Sequence, residues 1–468
     1  MDPSEKQAIL IADLGFGDAG KGSIVDFLTR SSGAHTVVRY NGGAQAAHNV
    51  VTPDGRQHTF AQFGSGTFLP GTRTYLSRFM ITHPLAMLAE ERHLYALGVR
   101  DAFARLAIDR QALVTTPFQQ SANRVKEMLR GGARHGSCGL GVGESMADWL
   151  ALGDEMLMAG DLPDRGRVIK KLKLLQEVKW EQIKALLPAG RLPGEIEAEV
   201  RIFHDPELIP ATAEVFGYFA GLVSLTDEAY ARNLAQRTGV TIFEGAQGVL
   251  LDEWFGFYPY NSWSTYTFKN AESLLTESGF DGETLKLGLL RGYATRHGAG
   301  PFVSEDVNMS ARLPDIHNGD NPWQHGFRVG WLDLVALRYA LRVIGKLDGL
   351  AVTNLDRMES LPEWQVCEAY THPDGGASLE EHFSIRDGLV QEIRLPGDPT
   401  DLVRQERLTR LLLEMQPVYS TREKDSRAYL EGISQALEVP VSITSRGETA
   451  LDKEIVAKVG MLEKMQPV

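Results

Sequence analysis

The sequence predicts an α/β fold with a large, mainly parallel central sheet flanked by helices. Short apolar runs rich in Leu or β-branched residues alternate with longer helical patterns, and most runs end in Gly, Asp, Asn or Ser. Strand–helix alternation of this kind is typical of a parallel sheet. With 468 residues, of which 43% are hydrophobic and 23% charged, the chain could form one large domain or two to three smaller ones. We expect one domain over 1–468, with helical insertions.

The individual elements follow from these patterns. Predicted strands lie at 8–14, 35–40, 240–245, 285–294, 347–356 and 439–445. Predicted helices lie at 22–30, 83–97, 226–237 and 333–344. The last of these begins after Asp333, a good N-cap, and stops at Gly345.

Two regions differ from this alternation. Residues 151–235 are predicted to form a helical insertion, and the basic amphipathic stretch 165–187 should pack on the sheet or on a partner subunit. The C-terminal part, 358–468, is less defined, although 398–420 has a helical pattern that indicates packing. Ligands of such sheets bind where the strands end.

Charge and cysteine content exclude several classes of protein. The formal net charge is −13, with Lys+Arg 48 against Asp+Glu 61, so we expect no nucleic acid polymer as a partner. Cys138 and Cys367 are too few for a disulfide framework or a Cys-rich zinc site. The polar start MDPSEKQ and the absence of an 18-residue apolar stretch predict no membrane partner and a cytoplasmic location.

A glycine-rich loop follows the first predicted strand, in LGFGDAGKGSIVDFL (14–28). Its glycines allow a sharp turn and close approach to an anion, and the next helix offers free N–H groups to phosphate. Lys21 adds a charge suited to β- or γ-phosphate oxygens. Asp18 is either a helix N-cap or a functional group, because a carboxylate beside a polyphosphate is costly unless it binds a metal ion or takes part in proton transfer.

Four further segments place small residues and polar groups at strand ends. His48 follows a loop of Gly and Ala that leaves space for a ligand, and the amide of Gln247 could contact a ligand as donor and acceptor. The loop 293–305 is another glycine-containing strand exit. Asp356, in VTNLD (352–356), could accept hydrogen bonds from a guanine base.

Together and in this order, these segments resemble the adenylosuccinate synthetase family, whose glycine loop reads GDEGKG. The matching segments are GDAGKG (17–22), GGAQAAH (42–48), EGAQG (244–248) with YPY (258–260), TRHGAGP (295–301), GWLD (330–333) and TNLD (353–356). The resemblance extends from residue 8 to about 357, with an echo near 443–448. It implies a P-loop-NTPase-like fold and a C–N ligase.

The resemblance also implies a reaction. Family members phosphorylate the 6-oxo group of inosine monophosphate (IMP) with GTP and then join L-aspartate at carbon 6. By this resemblance Asp18 would take the N1 proton, His48 would stabilise the transferring phosphoryl group, and Lys21 would hold the polyphosphate. Mg²⁺ would be held by Asp18 and the Ala47 carbonyl.

The remaining binding residues are likewise implied by position. The triphosphate would contact Gly17, Ala19, Gly20, Lys21, Gly22, Ser23, Thr353, Asn354 and Asp356. The purine nucleoside monophosphate would contact Gln45, Ser137, Cys138, Gln247 and Ser262. The loop for L-aspartate or another amine would use His325 and Arg328.

This sequence departs from the family at substrate contacts. SCGLGVGE (137–144) replaces the TTGRGIGP segment that grips the 5′-phosphate, and no arginine follows to reach across the dimer. In the amine loop, PWQHGFR (322–328), two family arginines appear as His325 and Phe327. A hidden replacement arginine could lie nearby, at Arg296, Arg312 or Arg328. Asn354 replaces a lysine and Ala19 a glutamate, which weakens guanine selection and leaves GTP or ATP as the donor.

Three alternatives stay open beside adenylosuccinate synthesis: a paralogue that activates another purine-like nucleotide or uses another amine, a non-catalytic nucleotide-binding relative, and a switch-like GTPase. The family is dimeric, so a homodimer is possible. The absent cross-subunit arginine removes the sequence reason to insist on one.

Overall fold

The computed structural model describes residues 5–315, 323, 326–373, 379–466 and 468. Its strands are β1 (Lys6–Asp13), β2 (Thr36–Arg39), β3 (His48–Val51), β4 (Gln57–Phe60), β5 (Arg73–Leu76), β6 (Ile81–Thr82), β7 (Leu106–Asp109), β8 (Leu113–Val114), β9 (Ser224–Thr226), β10 (Gly239–Gly248), β11 (Glu283–Arg291), β12 (Ala294–His297), β13 (Phe327–Gly330), β14 (Leu332–Asp333), β15 (Gly349–Thr353), β16 (Trp364–Thr371), β17 (Phe383–Arg386), β18 (Leu389–Ile393), β19 (Gln416–Arg422), β20 (Val441–Ser445) and β21 (Lys453–Ile455).

The helices account for most of the remaining regular structure. They are α1 (Lys21–Ser32), α2 (Pro84–Ala96), α3 (Pro117–Arg130), α4 (Val142–Leu152), α5 (Arg165–Lys184), α6 (Gly194–Arg201), α7 (Leu208–Leu222), α8 (Glu228–Ala235), α9 (Lys269–Glu277), α10 (Val307–Arg312), α11 (Leu334–Ile344), α12 (Leu355–Glu359), α13 (Leu402–Glu414) and α14 (Ser426–Leu437). Over the described residues, none of them is both long and apolar enough to cross a membrane.

The central sheet confirms the predicted fold class. Within the described part of the chain it has ten strands in the order β21-β20-β15-β11-β1-β10-β2-β5-β7-β9, and β21 alone runs antiparallel to its neighbour. All six predicted strands lie in it. Because β1, β2, β10, β11, β15 and β20 are parallel, the loops after them meet at one edge of the sheet.

The strand β1 shows how the sequence covers both faces of the sheet. Its side chains alternate, so Leu10 belongs to a core shared with α11, whereas Ile9 and Ile11 pack against α1. The helix α11 begins as predicted, since the Asp333 side chain accepts from the Ala336 N–H at 3.0 Å. A strand apolar on both faces is therefore buried on both, as in other parallel sheets.

The helical region forms its own core beside the sheet. Apolar side chains of α5, such as Leu172 and Leu175, are buried against α3 and α7. The basic amphipathic stretch therefore packs on helices rather than on the central sheet. Within the predicted insertion 151–235 the regular elements are helices, except for Ser224–Thr226, which returns to the edge of the sheet as β9.

The C-terminal region contains a second sheet that the sequence did not predict. Its strands run in the order β14-β16-β18-β17, with β19 paired to β16, and α11 packs on it. The predicted helix over 398–420 is present as α13 but ends at Glu414, after which Gln416–Arg422 forms β19.

Candidate functional site

The glycine loop is held by a carboxylate at the end of β1. Asp13 Oδ1 accepts from the Gly15 N–H at 2.8 Å, and its Oδ2 accepts from the Ala19 N–H at 2.7 Å. The ammonium group of Lys21 donates to Asp13 Oδ2 at 3.1 Å and to the Gly17 carbonyl at 2.7 Å. Sequence reasoning missed Asp13, which is 1% exposed. Its hydrogen bonds fix the loop and the lysine before any ligand binds.

Two glycines allow the loop to start α1 and meet the next strand. Gly20 caps the helix with φ 81°, a conformation that glycine adopts without strain. A Cβ at Gly22 would lie 2.7 Å from the Asn49 carbonyl oxygen and 2.8 Å from the carbonyl carbon of His48. Any larger residue would push β3, and His48 with it, away from the loop.

The imidazole of His48 is oriented by a buried carboxylate. Its Nδ1 lies 2.6 Å from Oε1 of Glu244 on β10, and the other carboxylate oxygen accepts from the Ser65 N–H at 2.9 Å. Burial lowers the pKa of His48 to about 4. Burial alone would raise the pKa of Glu244, but Arg39 and His48 lower it to about 2. Glu244 therefore stays ionised and accepts a hydrogen bond from the Nδ1–H of His48, which leaves Nε2 facing a ligand.

Asp18 is a carboxyl group of the donor cleft whose pKa is raised. Burial raises its pKa, opposed by the positive charges of Arg291 and Lys21. The Nε–H of Arg291 donates to the main-chain carbonyl of Asp18, which ties β11 to the glycine loop. A raised pKa suits a group that accepts a proton and later returns it.

A donor cleft of about 980 Å³, open to solvent, brings together most residues assigned to catalysis and to the triphosphate. Those that line it are Gly17, Asp18, Gly20, Lys21, Gly22, Ser23, Ala47, His48, Thr353, Asn354 and Asp356. Ala19 is not among the described residues that line this cleft, because it is buried and its N–H donates to Asp13. Arg291 also lines the cleft and was missed from the sequence.

A second opening, the acceptor cleft of about 1370 Å³, collects the five residues assigned to the acceptor nucleotide, Gln45, Ser137, Cys138, Gln247 and Ser262. Gln247 has φ 54°, and a Cβ at Gly17 would lie 3.1 Å from its backbone. The two clefts therefore adjoin where β10 meets the glycine loop.

Two cations of α3 line the acceptor cleft, and the sequence did not single them out. Lys126 donates to both carboxylate oxygens of Glu144 at 2.8 and 2.7 Å, and Arg130 pairs with Glu127. The other oxygen of Glu127 accepts from the N–H groups of Gly136 at 3.2 Å and Ser137 at 3.4 Å. This wall thus carries two cations, each paired with a carboxylate that also lines the cleft.

The amine loop is less complete. His325 lies outside the described residues. The guanidinium of Arg328 donates to the carbonyls of Gly298 and Gly300 and pairs with Glu305 at 2.8 Å. Arg296 similarly donates to three main-chain carbonyls. Arg328 is absent from the described lining of both clefts. Both arginines hold the loop 298–305.

Glu244 was available to sequence reasoning, because it belongs to the quoted EGAQG segment. A carboxylate inside a buried strand is costly unless it is paired, so its position was itself a signal. Lys126, Arg130 and Arg291 gave no such signal, since charged residues at helix and strand ends are common.

Comparisons with known proteins agree along the chain. The family model described as adenylosuccinate synthetase matches residues 10–453. An adenylosuccinate synthetase of Cyanothece sp. is 31% identical over 454 residues, covering 94% of this chain and 92% of that protein. One of Sorangium cellulosum is 31% identical over 451 residues, covering 94% and 96%.

Solved structures show the same fold. A fully ligated adenylosuccinate synthetase from Plasmodium falciparum superposes with a TM-score of 0.74 at 20% identity, covering 96% of this chain and 99% of that one. A cyanophage S-2L succinoaminodeoxyadenylate synthetase, bound to dGMP and dATP as an energy donor, gives a TM-score of 0.52 at 16% identity, covering 97% and 96%.

Proposed function

This chain belongs to the adenylosuccinate synthetase family, and we propose that it phosphorylates the 6-oxo group of IMP and then joins L-aspartate at carbon 6. Members of the family are ligases that form C–N bonds, and so is this enzyme. The observation that carries the proposal is the gathering of Asp18, Lys21 and the His48–Glu244 pair in a donor cleft that adjoins an acceptor cleft.

The first step activates a poor leaving group. Asp18 takes the N1 proton of IMP, and O6 attacks the γ-phosphorus of the triphosphate. The O6–P bond forms while the bond from phosphorus to the bridging oxygen breaks, and the diphosphate leaves. Lys21 and the loop N–H groups bind the polyphosphate. The negative charge of the bound phosphates raises the pKa of His48, so its Nε2 takes up a proton and donates to the phosphoryl oxygens in the transition state while Glu244 holds Nδ1.

The second step forms the C–N bond. The amino group of L-aspartate attacks carbon 6, and the C6–O6 bond breaks to release inorganic phosphate, which carries away the proton that the amino nitrogen loses. Each C–N bond therefore consumes one triphosphate and releases one phosphate.

Mg²⁺ fits the oxygen groups that the donor cleft presents. Asp18 and Ala47 both line it and would hold the ion by a carboxylate and a main-chain carbonyl. An ion held there would take its remaining ligands from the phosphates and water. When bound, Mg²⁺ neutralises charge on the phosphates.

GTP is the proposed donor, because exposed Asp356 lines the donor cleft just after β15. Its carboxylate would accept from N1–H and the N2 amine of guanine, whereas adenine presents an unprotonated N1 there. The acceptor cleft would hold the IMP phosphate near Ser137, with Lys126 and Arg130 as the nearby cations. The homodimer and the cytoplasmic location stay predictions.

The test is the dependence of phosphate release on each substrate. Purified protein with Mg²⁺, GTP, IMP and L-aspartate should release phosphate and form succinylated IMP, and omission of either IMP or L-aspartate should abolish both. Because the cyanophage enzyme was solved with dGMP and dATP, GMP, dGMP and ATP are run as parallel arms. Asp18→Asn should be inactive, and Asp54→Asn, which changes a surface loop, should match wild type.

If phosphate is released with GTP alone, the chain is a GTPase and the proposal is wrong. If a succinylated product forms from dGMP but not from IMP, the chain is a paralogue with a different acceptor.

A further inference from the structure

Arg291 lies where the ends of β1, β11 and β15 meet, on the wall of the donor cleft. Its Nε–H donates to the main-chain carbonyl of Asp18, so the guanidinium is fixed beside the proposed catalytic carboxyl group. The opposite edge of the guanidinium faces Asp315, with distances of 3.4 Å from Nη1 and 3.3 Å from Nη2 to Asp315 Oδ2.

The guanidinium is also enclosed by aromatic rings. It lies 5.7 Å from the ring centre of Tyr293 and 5.5 Å from that of Phe327. The Tyr293 hydroxyl and Nη1 are 3.2 Å apart. Phe327 stands at a position of the amine loop where the family has an arginine, and here it packs on an arginine that comes from β11. Aromatic faces of this kind hold a guanidinium flat and lower its solvation.

The Arg291–Asp315 contact is longer than a tight ion pair. Charge-assisted N–H···O bonds are normally about 2.7–2.9 Å long, and both contacts here exceed 3.2 Å. Both side chains are 9% exposed, so the pair is shielded from water although it lines the cleft. The Asp315 carboxylate thus occupies this edge of Arg291 at distances longer than those of a tight ion pair, and a carboxylate that comes closer could replace it.

The neighbouring arginines are engaged elsewhere. Arg296 and Arg328 are used by main-chain carbonyls of the loop 298–305, as described above. Arg357 donates to the Pro314 carbonyl at 2.6 Å, which anchors the chain just before Asp315. Arg312 is exposed on α10. Among these arginines, Arg291 lines the donor cleft and already faces a carboxylate, that of Asp315, which is the group that an amino acid substrate carries.

We infer that Arg291 binds a carboxylate of the amine substrate and selects a dicarboxylic amino acid, with Asp315 occupying the same edge of the guanidinium until the substrate arrives. This inference rests on the proposed function, because it names the residue that reads the amine. Arg291 takes the role that the sequence assigned to His325 and Arg328, and it does so from the sheet rather than from the amine loop.

The test compares two amines on the same activated nucleotide. L-aspartate carries carboxylates and hydroxylamine carries none, so the ratio of their kcat/KM values cancels effects on folding and on the first step. Arg291→Gln should lower this ratio about 10- to 150-fold, the range for one hydrogen-bonded charge. Asp315→Asn, which removes the competing charge, should raise the ratio and lower KM for L-aspartate. Arg312→Gln, the matched control, should leave the ratio unchanged.

Other results would overturn the inference. If Arg291→Gln raises KM for the triphosphate and leaves the amine ratio unchanged, Arg291 serves the γ-phosphate instead. The inference predicts that Asp315→Asn lowers KM for L-aspartate, whereas a purely structural ion pair predicts no such fall. An unchanged or raised KM in this variant therefore counts against the inference.

Failure of the proposed function would be recognised separately. If the wild-type enzyme forms no C–N bond with any amine, calorimetric titration with succinate decides the matter, because succinate has the carboxylates of aspartate but cannot react. Weaker succinate binding in Arg291→Gln would support the inference, and equal binding would refute it.

Discussion

Glu244→Gln probes the pair that supports His48 in phosphoryl transfer. In the wild-type chain the carboxylate accepts from His48 Nδ1, from the Ser65 N–H and from the Ser65 hydroxyl. A glutamine keeps one acceptor oxygen and turns an NH₂ group toward one of these donors. The substitution therefore removes a charge and leaves a buried donor without an acceptor, although the side chain keeps its shape.

The expected magnitude follows from these contacts. A hydrogen bond to a charged group contributes about 1.5–3 kcal/mol, so losing it in the transition state should lower kcat about 10- to 150-fold. The unpaired buried donor should also lower the free energy of unfolding by about 1–3 kcal/mol. The assay is phosphate release at saturating substrates, with urea unfolding measured on the same samples.

Ser65→Ala is the matched control. It removes the hydroxyl that donates to Glu244 but keeps the charge and the His48 contact, so kcat should fall less than about threefold. If Glu244→Gln folds normally and keeps kcat within threefold of wild type, the imidazole does not depend on Glu244 and the reasoning fails.

Four other predictions follow from the same geometry. Asp18→Asn should lower ligase turnover at least about 10²- to 10⁴-fold while GTP binding, measured by calorimetry, persists; full activity would exclude Asp18 as the base. Asp356→Ala should lower the ratio of kcat/KM for GTP to kcat/KM for ATP about tenfold or more. A wild-type enzyme that already prefers ATP would contradict the role of Asp356 in binding guanine. The pKa of His48 is about 4 in the folded chain and about 6.5 in the unfolded chain, so between these pH values the unfolded chain binds one more proton. The free energy of unfolding should therefore fall by about 3 kcal/mol as the pH drops from about 6.5 to 4. Urea unfolding of His48→Gln should lack this pH dependence, and the same dependence in the variant and the wild type would refute the prediction. Gly22→Ala should lower stability by about 1–3 kcal/mol and reduce turnover, because its Cβ meets the β3 backbone, and a neutral effect on melting temperature would contradict this.

The sequence predicted the parts of the site that depend on strand ends. The parallel order of β1, β2, β10, β11 and β15 gathers the loops that carry the glycine and GGAQAAH segments, and alternation of apolar runs was enough to identify those strands. It could not predict which carboxylate would organise a loop. Asp13 is simply the last residue of a buried strand until the fold turns three N–H groups and Lys21 toward it.

Long-range partners account for most of the rest. Arg328 was a candidate for the amine, but the loop carbonyls of Gly298 and Gly300 need donors and it supplies them. Arg291 was not a candidate, because its contacts with Asp18 and Asp315 join residues far apart in the chain. The second sheet was missed because its strands are completed by partners from distant segments, as when β14 pairs with β16.

The central claim is that the 6-oxo group is phosphorylated before the amine reacts. Positional isotope exchange tests this step directly, with ¹⁸O placed in the β,γ-bridge of GTP and the enzyme supplied with Mg²⁺ and IMP but no L-aspartate. Reversible transfer to O6 frees the β-phosphate to rotate, so the label should scramble into the non-bridging β positions, and it should not do so without IMP or in Asp18→Asn. Product formation with L-aspartate but no scrambling under any of these conditions would contradict the account.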